Sequence, residues 1–249
     1  MESKFKLPTE SVELPSKGLI YPEDSPLSSG KIEMKYMTAK EEDILTNQNY
    51  IRNGTVIDRL MKSLIVNKEI KYNDLLIGDK NAVMFAARVL SYGKDYEFMY
   101  DGIEQTVDLS QLKLRYLDEN LIKERTNEFV FQLPNTDNVI TFKLLTHGDE
   151  INIDREIEGL KKIHKGTSPE STTRLKRMIT SVNGVRETKD IREFVDNYLL
   201  AKDARALRAE YQRINPDVIM KATVRNQADG EEDVDIPIGL NFFWPDSGI

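Results

Sequence analysis

Hydrophobic and polar positions along the chain alternate between stretches with helical spacing and stretches with strand spacing. Residues 1–37 show little of either: prolines stand at 8, 15, 22 and 26, Pro15 biases Leu14 toward extended backbone, and Gly18 supplies a turn. Only the alternation of Ile32, Met34 and Tyr36 marks a short strand there. Residues 1–37 therefore read as an extended N-terminal arm clipped onto a helical body. From 38 to 94 the period is helical. Thr38 with Glu41 three residues on has the form of a capping box, and Ile44 and Leu45 open an apolar face. A helix over 38–47, the turn Asn53-Gly54 and a helix over 55–67 follow, the second with Val56, Ile57, Leu60, Met61, Leu64 and Ile65 on one side. A third, over 79–92, carries Ala82, Val83, Phe85, Ala86, Val89 and Leu90, its alanines allowing close approach of a neighbouring helix. Gly93 is placed to end it in the left-handed conformation.

At Asp95 the period becomes two. Tyr96, Phe98 and Tyr100 alternate, Asp101-Gly102 is a hairpin turn signal, and 104–109 can return as the partner strand. These aromatics read as core and not as a base-stacking platform, because basic residues are not interleaved with them. The spacing of Leu114, Leu117 and Leu121 predicts a short helix, and 128–133 with 138–145 predict a second hairpin around Pro134-Asn135-Thr136-Asp137. A helix capped by Asp149 then runs to about 165. Gly166-Thr-Ser-Pro169 breaks it, Ser168 serving as the next cap, and a helix over 170–182 ends at Asn183-Gly184. Thr188 opens the longest periodic stretch, through Ile191, Phe194, Val195, Tyr198 and Leu199 to Leu207, Tyr211 and Ile214, with a possible restart at Asp203 and a stop at Pro216. The chain closes with a predicted hairpin: 218–225, an acidic turn over 229–233, and 235–246. Three adjacent aromatics, Phe242, Phe243 and Trp244, cannot all point inward from one strand, so at least one is expected to pack on the arm or on a partner. The fold class is α+β, mainly helical, with small antiparallel hairpins mid-chain and at the C-terminus. Its parts are the arm (1–37), a helical block (38–94), a hairpin region (95–147), a second helical block (148–215) and the C-terminal hairpin with its aromatic end (216–249), in one composite domain.

Composition narrows the function classes. The 249 residues carry a net charge of -7, which disfavours binding nucleic acid by phosphate neutralisation. No apolar run approaches the roughly 20 residues a membrane helix needs, and the first residues have no apolar signal core. The chain contains no cysteine, so disulfides, thiol catalysis and cysteine-ligated zinc are excluded, in keeping with a reducing cytoplasm. The two histidines, His147 and His164, have no spaced partner, and Gly-x-Ser-x-Gly, phosphate-loop and dinucleotide fingerprints are absent. An enzyme would need a histidine within reach of a carboxylate in a cleft. No catalytic residue, metal ligand or cofactor is expected; the expected partner is protein. Basic residues gather at Arg174, Lys176, Arg177, Arg186, Lys189, Arg192, Arg205, Arg208 and Arg213, and interspersed acidic residues make this a solvated helix face.

Four stretches carry a resemblance: Glu13-Leu-Pro-Ser-Lys-Gly-Leu-Ile-Tyr21, Met37-Thr-Ala-Lys-Glu-Glu-Asp-Ile-Leu-Thr-Asn47, the helix over 54–64, and the closing Phe242-Phe-Trp-Pro-Asp246. Together they resemble the baseplate protein family of T-even-type contractile-tailed bacteriophages, which holds a baseplate hub assembly protein, the so-called assembly catalyst, and a related hub subunit. The full length is closer to the assembly protein. The resemblance implies a non-enzymatic protein that promotes assembly of the central hub in the host cell cytoplasm by binding baseplate hub proteins; the alternatives are a structural hub subunit retained in the virion and, remotely, an unrecognised enzyme. It also implies that some relatives carry cysteine pairs, suggestive of zinc, in the regions matching 96–109 and 218–236. Here those hairpins would be held by packing alone. The expected partner surface is Leu14, Leu19, Ile20 and Tyr21 in the arm with Phe242, Phe243 and Trp244 at the end. Oligomeric state is left open.

Overall fold

A computed structural model describes residues 7–122, 124–163, 169–227 and 230–245. Strand β1 (Thr9–Glu13) pairs antiparallel with β2 (Lys31–Lys35), Val12 opposite Ile32 and Glu10 opposite Met34. The arm is therefore a closed hairpin with a long folded loop, not a single extended segment. β1 was invisible to patterning because only Val12 in Thr-Glu-Ser-Val-Glu is apolar, while β2 buries Ile32 and Met34. Three short helices follow: α1 (Ala39–Leu45), α2 (Gln48–Arg52) and α3 (Val56–Leu64). The Glu41 carboxylate accepts from the Thr38 amide, as the capping signature requires, and also from the Thr38 hydroxyl. The expected pair of helices becomes three because Asn47 accepts from the amides of Asn49 and Tyr50 and starts a helix of its own. α3 buries Val56, Leu60, Met61 and Leu64, and ends before 67 because Ile65 leaves it to bridge Met34.

Helix α4 (Ile77–Tyr92) is the centre of the molecule. Residues all around its first three turns are buried, from Gly78 and Asp79 to Phe85, which is how a helix enclosed by other elements reads. Its closest neighbour is backbone and not a helix: a Cβ at Gly78 would lie 1.9 Å from the carbonyl oxygen of Pro216. Gly93 does follow it with φ 80, but with ψ 176, so the chain leaves extended and not left-handed. The hairpin of β3 (Asp95–Tyr100) and β4 (Ile103–Asp108) turns at Asp101-Gly102 and buries Tyr96 and Phe98.

Over 114–121 the structure corrects the expected helix. Leu114–Arg115 is β5, which pairs with β9 (Asp217–Val218) from the far end of the chain, and Glu119–Leu121 forms one 3-10 turn. β6 (Phe129–Gln132) and β7 (Val139–Phe142) form the second hairpin, and β8 (Ile179–Val182) adds a third strand to β7. The helix expected over 170–182 is thus only α6 (Glu170–Met178). Ile179, Thr180 and Val182 are β-branched, and a free edge of β7 is available to pair with them. Between these lies α5 (His147–Ile163), whose first residues place Asp149 third in the helix. Thr146 is the cap, its hydroxyl accepting from the Asp149 amide. His164 and the break at 166–168, including the Ser168 cap, lie outside the described residues.

α7 (Thr188–Asn197) and α8 (Ala201–Ile214) split the long periodic stretch. Asp203 does not begin α8. Fully buried, its carboxylate accepts from the Asn135 amide, the Asn135 side chain and the Thr136 hydroxyl, holding the turn between β6 and β7. β10 (Lys221–Arg225) pairs with β11 (Glu231–Asp235), so the acidic run 231–233 is strand and not turn. The aromatic end is a helical turn, α9 (Leu240–Phe243). The two hairpins lie side by side, held by hydrogen bonds as well as packing: Gln105 donates to the Arg225 carbonyl and accepts from its amide, at 3.0 and 3.2 Å. Buried apolar residues from both helical blocks and the hairpins belong to one cluster.

Gly78→Ala tests the α4 contact. Alanine ordinarily stabilises a helix interior by up to about 1 kcal/mol relative to glycine. Here the substitution is expected to destabilise by about 2–3 kcal/mol, read as a lower urea midpoint.

Candidate functional site

The stretch with the clearest resemblance, Glu13 to Tyr21, folds into the loop between β1 and β2 and is held by a buried carboxylate. Pro15 and the turn after it aim Ser16 at the first turn of α4. Asp79 accepts from the Ser16 amide at 2.9 Å, the Ser16 hydroxyl at 2.6 Å and the Tyr21 hydroxyl at 2.6 Å. The Tyr21 oxygen in turn accepts from the Leu76 amide at 2.8 Å, supplying one of the unpaired donors at the start of α4. Burial pushes the Asp79 carboxyl up to about 6, against the pull of these bonds, and pushes the Tyr21 phenol well above its usual value. The loop closes on itself through two glycines. Gly18 at φ 73 and Gly30 at φ 70 stand where a Cβ would meet backbone at 2.5 Å, so neither tolerates a side chain.

This geometry relocates the expected partner surface. Leu14, Ile20 and Tyr21 are buried in the chain's own core, as are Phe242 and Phe243; as folded, these five are closed to a partner. Only Leu19 and Trp244 keep partial exposure. The constraint that three aromatics cannot all point inward applied to a strand, and a helical turn lifts it. Phe242 meets Phe85 of α4 and Tyr96 of β3 edge to face, with ring centroids 5.1 and 5.0 Å away, and Phe243 packs on Phe242. The Tyr96 hydroxyl donates to the Pro237 carbonyl. The arm and the aromatic end are each fastened to α4.

Sequence spacing missed the partner of His147. Its Nε2 lies 2.9 and 3.0 Å from the two oxygens of Asp58, residues too far apart in sequence to read as a motif. A carboxylate only accepts, so Nε2 carries the proton. Nδ1 is buried and has no partner, as is the Tyr72 hydroxyl nearby, and the Tyr72 ring stands edge-on at 5.0 Å. A carboxylate-oriented histidine has the form of a general base, but this one is 8% exposed, with its free nitrogen sealed from solvent. The pair links α3 to α5, and its Asp58 side chain keeps partial exposure. Among the described residues no group of three or more potential ligands is arranged to hold a metal ion.

Six of the nine residues of the basic cluster are in ion pairs, Lys176 with Asp196, Arg177 with Asp149, Arg186 with Glu128, Arg192 with Glu156, Arg213 with Glu210, and Arg174 with Glu150 and Glu170, whereas Lys189 and Arg205 form none among the described residues. Arg208 donates to Ser171. This is the solvated face that the interspersed acids implied. No helix among the described residues is long and apolar enough to cross a membrane. Comparison with protein-family models, with curated proteins and with solved structures finds no match to this chain.

The Asp79 anchor has a pH signature. Its folded value of about 6 lies above its ordinary 3.8, so the folded state takes up a proton first and stability from this group rises as pH falls through 6 toward 4. Glu41 does not interfere in that window. Although burial opposes it, bonds from Lys35, Thr38 and Ser63 hold its carboxyl at about 2, and its contribution is lost only as pH falls below its ordinary 4.5. Between pH 7 and pH 5, wild type should gain about 1 kcal/mol in unfolding free energy relative to Asp79→Asn; a gap that stays constant with pH would show that Asp79 is ionised throughout.

Proposed function

We propose that this protein is a non-enzymatic phage tail assembly factor that promotes assembly of the baseplate central hub by binding hub proteins in the host cytoplasm. The observation that carries the reading is where the resembling stretches sit. Residues 13–21 close over the start of α4 through Asp79, and Phe242 packs on Phe85 farther along the same helix. Stretches that share fold-defining contacts with one helix are what a common scaffold would retain, and chance likeness has no reason to fall there. Promotion of assembly needs only selective binding of one state of a partner.

Co-expression with the hub components followed by affinity capture tests the reading. A hub subunit should co-purify, and mass spectrometry of mature particles should not find this chain. Detection at fixed stoichiometry would instead make it a structural hub subunit, and failure to capture any hub protein overturns the baseplate assignment.

Tyr21→Phe separates scaffold from surface. Loss of the hydroxyl leaves the Leu76 amide and Asp79 short of a partner, lowering stability by about 1–3 kcal/mol. Hub capture by the folded variant should be unchanged; reduced capture at unaltered stability would return Tyr21 to the binding surface.

A further inference from the structure

Most basic side chains near the core of this acidic chain are neutralised where they stand, as Lys35 is by Glu41 and Lys80 by Glu150. The segment joining α3 to α4 is different. Lys62, Lys68 and Lys71 line one groove of about 510 Å³, with Ile65, Ile70 and Tyr72 as its apolar walls and Asp74 its one carboxylate. None of the three lysines forms an ion pair among the described residues, although Asp58 lies near enough to Lys62, and Glu41 to Lys68, to interact electrostatically. Lys68 is fixed in place, its ammonium donating to the carbonyls of Lys62, Ser63 and Ile65 at the end of α3. Burial, with Lys35 nearby, lowers its pKa. The Lys62 ammonium stands 5.9 Å from the centre of the buried Tyr72 ring. Lys62 and Lys71 can receive anionic groups, while Lys68, whose three donors are taken by the carbonyls at the end of α3, adds a fixed positive charge.

The extent of the patch selects the anion. Directly beside it, sharing Lys71, is a concavity lined by Asp24, Glu69 and Asp74, which would repel a longer polyanion. The groove's lining contains no arginine, the side chain best shaped for phosphate, and partly exposed Ile70 offers an apolar contact. We propose that this groove docks a short acidic segment of a partner protein, with two or three carboxylates interspersed with an apolar side chain. The proposal rests on the partner-binding reading above and adds the chemistry of the partner.

The test uses the whole chain, ¹⁵N-labelled and titrated with the peptide acetyl-Glu-Leu-Glu-Glu-Leu-Glu-amide. Chemical-shift changes should centre on the amides of 62–74. Affinity should fall at least about tenfold in the double variant Lys62→Ser/Lys71→Ser, and should weaken as salt rises. The double variant Lys189→Ser/Lys202→Ser, on α7 and α8, should bind as wild type does. Lys71→Glu is a second, single-site probe, and melting temperatures measured alongside confirm that each variant is folded. The proposal is overturned if the shifts map elsewhere, if the folded Lys62 and Lys71 variants bind the peptide normally, or if inorganic phosphate or a single-stranded oligothymidylate displaces it at equal concentration. Peptide binding with no hub capture would sustain the groove and reject the baseplate reading; hub capture without peptide binding would do the reverse.

Discussion

A carboxylate buried beyond the reach of water must be satisfied by the protein or be protonated, and Asp79 is where this constraint organises the fold. It sits in the first turn of the central helix with Ser16 and Tyr21 as its donors. Removing either residue would leave charge or donors uncompensated, so the loop over 14–30 is tied to α4 by something stricter than hydrophobic contact. The tie extends outward. Pro15 accepts from the Leu117 amide, Tyr21 satisfies Leu76, and the neighbouring residues Leu75 and Ile77 bond to His147 and Leu145 at the start of α5. One anchor thus places the N-terminal hairpin, both helical blocks and the segment before β6 relative to one another.

The strands depend on that arrangement. Among the described residues four of the five sheets have only two strands, and an isolated two-stranded hairpin is at best marginally stable in water. Each is completed by packing against something else. Phe242 packs between α4 and the β3–β4 hairpin and Gln105 couples that hairpin to β10; in the three-stranded sheet Asp203 clamps the turn between β6 and β7. In a chain without disulfides, side-chain hydrogen bonds of this kind supply the specific connections that cross-links would otherwise make.

A binding protein and an enzyme impose different demands on such a scaffold. Catalysis needs a reactive group that substrate can reach; the free nitrogen of His147 is enclosed beside Tyr72, while the Asp58 carboxylate keeps partial exposure. Binding needs accessible groups that are not yet paired; Lys62 and Lys71 of the groove form no ion pair among the described residues, whereas most of the basic helix face is paired. Exposure alone is a poor guide here, since the aromatic residues with the most anchor-like chemistry are spent on the interior.

Near-neighbour physics decided what could be read from the sequence by itself. The Thr38–Glu41 cap, the apolar face of α3, the hairpins turning at Asp101-Gly102 and at Pro134–Asp137, and the α+β class follow from spacing and turn chemistry within a few residues. Pairings across the chain left no local signal. Leu114 finds Val218, and Ile179 leaves a helical pattern to join β7, because a partner strand brought close by folding outweighs weak local preference. The candidate binding residues failed as a surface for the same reason. Leu14, Ile20, Tyr21, Phe242 and Phe243 have the composition of interface anchors, but composition does not distinguish an interface from a core. Only the placement of α4 between both ends of the chain, with Asp79 drawing one end in and Phe85 the other, turned them inward.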